Sequence, residues 1–259
     1  MVTSALAGKR ILLTRAAHQN FELERLILKQ SAIPVLFPCL EVQELTQSLH
    51  AGLSKLKEFG DVLFTSANAV QSLVRLLQPE CSLKETLAGK RIAAVGVQTA
   101  AALKAHGVGI DLLPAIPSQD GLIDAYRKAG LPEQGLLFFR AEEGRDRLSN
   151  ELTRMGITVS MIPAYRTVCP NEDVSEVVNM LKHNAIDAVL LGSPKAAHHF
   201  RLRINDLELA NRPVIAAISE KLARTVQREG LDVQVVAKNA SFEAMLDALS
   251  KHFASTNNE

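Results

Sequence analysis

The chain is written twice, and that constrains its fold more than any other feature. Two stretches of similar length carry the same punctuation in the same order. Arg15 closes the apolar run Ile11–Thr14 and Arg140 closes Leu136–Phe139, an offset of 125. Pro38 and Pro163 stand at equal distances beyond these arginines, inside the similar segments IPVLFPCLEV and VSMIPAYRTV. Asp61 before VLFTS matches Asp187 before AVLLGS, and Ser66 matches Ser193. Gly96 and Ser219, Gly107 and Gly230, Ser118 and Ser241, and Asp124 and Asp247 are then all paired at an offset of 123. Drift of that size is what insertions and deletions in loops produce, so the pattern reads as a duplication. Two similar lobes are expected to frame a cleft, and clefts between lobes are where small ligands bind.

Within each copy, short apolar runs alternate with helical periodicity. Arg10–Thr14, Val62–Thr65, Arg91–Val95, Leu136–Phe139, Ala188–Leu191 and Val214–Ile218 read as buried parallel strands. Leu23, Leu26 and Ile27, then Val70, Leu73 and Leu76, then Leu148, Leu152 and Met155 have the spacing of one helical face. Gly107 and Gly230 sit where helices should stop, and VGIDLL and LDVQVV are expected to be the strands that follow. The fold class expected is α/β: two similar doubly wound parallel-sheet lobes. Segments 34–43 and 159–170 are β-rich but interrupted by Pro34, Pro38, Pro163 and Pro170, which suits edges or a paired hinge rather than central strands.

Composition narrows the function. At 47% hydrophobic, the chain has enough apolar residues for ordered cores. Charge is well mixed and nets +1, which argues against a nucleic-acid partner. Aromatics make up 4% and Trp is lacking, so stacking platforms for bases or sugars are not expected. No apolar run approaches the roughly 18 residues a membrane span needs. The opening MVTSALAGKR does not read as a signal peptide, and Cys39, Cys81 and Cys169 are too few for a disulfide scaffold, so a cytoplasmic setting is expected. The histidines lack metal-ligand spacing, and no metal site is expected. No heptad is evident, and a monomer is expected.

In open α/β sheets, ligands gather at the carboxyl ends of strands, beside the free N–H groups of the following helices. Those positions hold Arg15 and Arg140; Thr65, Ser66, Ala67 and Asn68; Gly96 and Thr99; Ser193, Pro194 and Lys195; and Ser219 and Lys221. Hydroxyls, glycines and backbone amides in place of acids suit an anionic guest such as a carboxylate. The same serines also suit plain helix caps. Tyr165, beside Arg166 on the second proline-bearing segment, is the candidate proton donor, since a phenol can hydrogen-bond a leaving hydroxyl without being charged. A packing role between lobes is the alternative.

The segments GKRILLTR, LFTSANAV, AVGVQTAAAL, FFRAEEGRDRLSNELTRMG, PAYRTV and LLGSPKAAHHF, in this order and spacing, resemble the uroporphyrinogen-III synthase family over essentially the whole chain. The resemblance implies two α/β lobes joined by a two-stranded hinge, with the active site in the cleft between them. It implies crossed wiring: residues 1–36 with 171–259 in one lobe, 44–162 in the other, and 37–43 and 163–170 as connectors. It implies a lyase that cyclises hydroxymethylbilane to uroporphyrinogen III, losing water and inverting the last pyrrole ring, in heme and tetrapyrrole biosynthesis. No cofactor is implied, and the partner is a polycarboxylate tetrapyrrole substrate. Tyr165 then matches the tyrosine thought to assist hydroxyl loss, and Thr99 the cleft-lining threonine of VGxxTA. The second copy departs from this pattern, because Ser219 and Leu222 stand where the family has glycine and threonine. A non-catalytic two-lobed binder of an anionic small molecule is the competing expectation.

Overall fold

The computed structural model describes residues 4–144 and 146–256. Among the described residues, ten strands form two five-stranded sheets. They are β1 (Arg10–Leu13), β2 (Ile33–Leu36), β3 (Glu41–Glu44), β4 (Asp61–Phe64), β5 (Arg91–Ala94), β6 (Leu136–Ala141), β7 (Val159–Val168), β8 (Ala188–Leu191), β9 (Val214–Ala217) and β10 (Val233–Val236). Two compact units result: Met1–Glu41 with Val168–Glu259, and Val42–Thr167.

The first unit carries the sheet β10-β9-β8-β1-β2, with parallel pairing throughout. Its strands are short and wholly apolar at the centre because helices cover both faces. One face packs Leu12, Val189, Phe200, Ile215 and Leu222; the other packs Ile11, Leu13, Leu190, Met245 and Leu249. At the amino end of β8, Asp187 accepts hydrogen bonds from Lys9 Nζ at 2.9 Å and the Arg10 amide at 2.7 Å.

The second unit carries β3-β7-β6-β4-β5, in which β4 pairs parallel with β5 and β6, and β6 with β7. Phe64 and Phe139 stack at 5.3 Å within one face of the core, and Leu63, Tyr126 and Phe138 pack in the other. Asp61 likewise stands at the amino end of β4, the counterpart of β8, here bonded by Arg91 Nε at 2.7 Å. The duplication is therefore spatial: β1, β2, β8 and β9 occupy the places of β6, β7, β4 and β5.

Two expectations need correction. Only β10 forms after the second helix-stopping glycine; after Gly107 the counterpart is a single bridge, Leu112 to Ala93. Gly107 and Gly230 do both adopt left-handed backbone, φ 74° and 88°. The second proline-bearing segment is no edge, since β7 lies between β6 and β3. Proline is tolerated there because the register slips: Pro163 faces Arg140 and Tyr165 faces Ala141, leaving Ala164 as the extra residue. The slip leaves Ala164 and Tyr165 both buried in succession, where strict alternation would expose one.

Candidate active site

Three strand ends of the second unit converge on one cavity of about 190 Å³. The β4 end supplies Thr65 and Ser66, and the backbone of Ser66 is extended (φ −149°, ψ 138°) as an N-cap requires. Its Oγ accepts the Asn68 amide at 3.1 Å, which starts the helix Ala67–Leu77. That helix holds Ala69, Val70, Leu73 and Val74 in the core, so the cap sits on a fixed element.

The β6 end supplies Arg140, a charged residue only 7% exposed. Burying a guanidinium requires that its donors be met. Nε donates to the Ala141 carbonyl at 3.1 Å, and Nη1 reaches Asp146 Oδ1 at 2.5 Å. The turn after β6 lies tight against the same group. A methyl added at Gly144 would come within 2.6 Å of Arg140 Nη2, and the glycine itself has φ 148°.

The β7 slip brings in Tyr165. Its hydroxyl is 2.9 Å from Ser66 Oγ, and the residue is 7% exposed. The cavity wall thus holds a phenol, two aliphatic hydroxyls, a guanidinium and the amide of Gln119, with the carboxylate of Glu143 at the rim. A pocket for a whole small ligand spans roughly 300–1,000 Å³. At about 190 Å³ this cavity falls below that range.

The remaining expected residues are distributed over other helix starts. In the second unit, Gly96 precedes the helix Val97–Ala105 and offers no side-chain cap; Thr99 is buried within that helix. Ala67 and Asn68 form the first turn after Ser66. In the first unit, Ser193 Oγ caps the Ala196 amide at 3.1 Å with Pro194 and Lys195 opening the helix Pro194–Ile204. Ser219 Oγ caps the Leu222 amide at 3.3 Å, and Lys221 is exposed beside it. Arg15 turns to its own neighbourhood: Nη1 donates to the Gln19 carbonyl at 3.0 Å, and the guanidinium lies 4.8 Å from the Phe242 ring centre. Burial pulls the Arg15 pKa below its ordinary value.

Sequence reasoning did not single out Gln119, Glu143 or Gly144. Gln119 follows the cap Ser118, and Glu143-Gly144 follow β6, so the general rule of reading residues just past strand ends and caps could have found them. No group of three His, Cys, Asp or Glu side chains among the described residues could hold a metal ion. His199 Nδ1 bonds the Cys39 carbonyl at 2.6 Å and His198 bonds Glu229 at 3.1 Å. No helix of the described residues is long and apolar enough to cross a membrane.

Residues 22–247 match the family described as uroporphyrinogen-III synthase HemD. The chain belongs to the uroporphyrinogen-III synthase family. It is 29% identical to the uroporphyrinogen-III synthase of Chlorobaculum parvum, over 88% of this chain and 92% of that one. It is 26% identical to the uroporphyrinogen-III synthase of Synechococcus elongatus, over 97% and 98%. Among solved structures, the synthase from Helicobacter pylori superposes with a TM-score of 0.63 at 21% identity, covering 94% of this chain and 99% of that one. A mutant synthase from Thermus thermophilus superposes with a TM-score of 0.59 at 18% identity, covering 96% and 100%. These two share the fold. Family and relatives agree on one activity, a cyclising lyase of tetrapyrrole biosynthesis.

Proposed function

We propose that the cavity at the β4, β6 and β7 ends is the reacting end of this synthase, with Tyr165 as proton donor to the leaving hydroxyl of hydroxymethylbilane. The observation that carries the reading is the Tyr165 phenol, set 2.9 Å from Ser66 Oγ in the wall of a cavity that also holds the buried Arg140 guanidinium. The phenol hands its proton to the departing hydroxymethyl oxygen. The C–O electron pair leaves as water, and the positive charge is delocalised over the pyrrole. The substituted α-carbon of the last pyrrole attacks the methylene cation to form a spiro intermediate. Its bond to the neighbouring methylene breaks, and that methylene cation rejoins the ring at the free α-carbon. The proton lost from that carbon returns to the phenolate. Proton and electron counts close without any further reagent.

The substrate bears acetates and propionates, and the proposed partners for them are of two kinds. Arg140 supplies a charge-assisted bond in a desolvated setting. The first turns of the helices that follow Ser66, Gly96, Ser193 and Ser219 are the proposed source of backbone N–H groups, Pro194 itself contributing none, which suits a nearly neutral protein that must bind a polyanion. Thr65, Thr99, Ser193, Ser219, Lys195 and Lys221 complete the proposed set. Holding the two ends of a linear tetrapyrrole in place is chiefly an orientation effect.

The test feeds hydroxymethylbilane to the wild-type protein and to Tyr165→Phe, then resolves isomer III from the isomer I that forms spontaneously. Wild type is expected to give isomer III. The variant is expected to turn over about tenfold to a few hundredfold more slowly. An unchanged rate in the variant overturns the role of Tyr165.

A further inference from the structure

The Ser66 hydroxyl has two neighbours, and together they determine which way its proton points. Oγ already accepts the Asn68 N–H at 3.1 Å, so one of its lone pairs is taken by the start of the helix Ala67–Leu77. The Tyr165 hydroxyl stands at 2.9 Å. Either oxygen can donate across that gap, and the two choices have opposite consequences. With Tyr165 donating, the phenol proton is spent on Ser66 and is not presented to the cavity. With Ser66 donating, the phenol oxygen is an acceptor and its own proton is free to face the cavity.

Accepting an amide N–H polarises a hydroxyl and makes its own O–H a stronger donor. The amide in question lies at the positive end of an eleven-residue helix, which favours negative charge nearby. Both effects grow when the phenol becomes a phenolate. The fit is also rigid: Ser66 is tied to a core-packed helix, and Tyr165 is fixed by the register slip at Ala164.

We infer that Ser66 is the positioning residue of Tyr165: it donates its hydroxyl proton to the phenol oxygen, so the phenol proton points into the cavity and the phenolate left by proton transfer is held by a ready-made donor. The inference rests on the reading of Tyr165 as proton donor. Ser66 exchanges no proton with the substrate; its O–H bond stays intact while the Tyr165 O–H breaks and later reforms. Its part in the site is therefore different from that of a hydroxyl that binds a carboxylate.

The experiment is a double-mutant cycle on the full chain, read as kcat and KM for hydroxymethylbilane. Ser66→Ala is expected to lower kcat about tenfold with little change in KM, the size of a lost bond to a developing charge. Ser66→Gly, a substitution the cap position tolerates, is expected to match it, which separates the effect from a damaged helix start. Ser66→Thr keeps both cap and hydroxyl and is expected to restore kcat. In the Tyr165→Phe background, Ser66→Ala is expected to cost nothing more. The inference is overturned if Ser66→Ala keeps the wild-type kcat, if Ser66→Thr is as slow as Ser66→Ala, or if the loss is the same with and without the phenol. A slow Tyr165→Phe beside a fast Ser66→Ala sinks the positioning role alone. A fast Tyr165→Phe sinks the proton-donor reading and this inference with it.

Discussion

The two units share one strand plan yet differ at the strand ends. Where the second unit has Tyr165, the repeat in the first places Leu40; where it has Thr99, the first has Leu222. Leu222 is 4% exposed and packs with Phe200 and Val226. The arginines diverge as well. Arg140 stands in a cavity wall with Asp146 as its ion-pair partner, whereas Arg15 lies over Phe242 and bonds Gln19. Duplication thus preserved the order of four strands and the cap serines Ser66 and Ser193, while Tyr165 and Thr99 have no hydroxyl counterpart in the first unit. A repeat constrains architecture far more tightly than it constrains the atoms that face a ligand.

The strongest challenge to that contrast is to make the copies alike. Leu222→Thr restores the family residue but removes buried methyl groups and adds a hydroxyl to an apolar cluster, so it is expected to destabilise the protein by about 3 kcal/mol. Denaturant unfolding checks this, and a neutral result would mean that the leucine is not serving the core. Next in size are the paired aspartates. Asp61 has a 7% exposed side chain against Arg91, while Asp187 is 29% exposed against Lys9. Arg91→Met is expected to cost about 2 kcal/mol at neutral pH because it leaves a buried carboxylate unpaired.

Burial already raises the Asp61 pKa, against the pull of Arg91. With that pull removed, the folded carboxyl binds its proton more readily than the unfolded one. Stability of the variant should therefore fall as pH rises through the acid range and recover on acidification. A deficit that does not shrink in acid would assign the loss to packing instead.

A functional contrast follows for the arginines. Arg140→Met is expected to raise KM for hydroxymethylbilane about tenfold, the scale of one charge-assisted bond. Arg15→Met is expected to raise it less, because Arg15 is not among the residues that line the cavity. Equal effects measured by steady-state kinetics would erase the asymmetry. Smallest of all is Lys9→Met, expected to cost under about 1 kcal/mol for a part-exposed pair. A loss as large as that of Arg91→Met would show that the two aspartates are equally buried in effect.

Much of this was legible from residues alone. Apolar runs beginning at Arg10, Val62, Arg91, Leu136, Ala188 and Val214 carry strands because fully buried parallel strands need no alternation. Gly107 and Gly230 marked helix ends because a left-handed residue is required there. The place of β7 was not legible: a proline inside a strand argues for an edge, and only the slip at Ala164 reconciles Pro163 with neighbours on both sides. The missing strand after Gly107 was equally hidden, since VGIDLL is as apolar as LDVQVV yet makes one bridge. Ser66 and Tyr165 were both singled out, one as a cap and one as a phenol. Their contact joins residues 99 apart, and no periodicity encodes it.

The interleaved path has a further outcome for biogenesis. Residues 42–167 make one unit in an unbroken stretch, so its strands are all available to each other early in synthesis. The other unit is gathered from both ends of the chain, and β1, flanked by β2 and β8, keeps one hydrogen-bonding edge open until Ala188–Leu191 leaves the ribosome. An apolar strand held waiting in this way is a template for wrong partners. Throughout that interval, the nascent polypeptide is expected to be open to aggregation at β1.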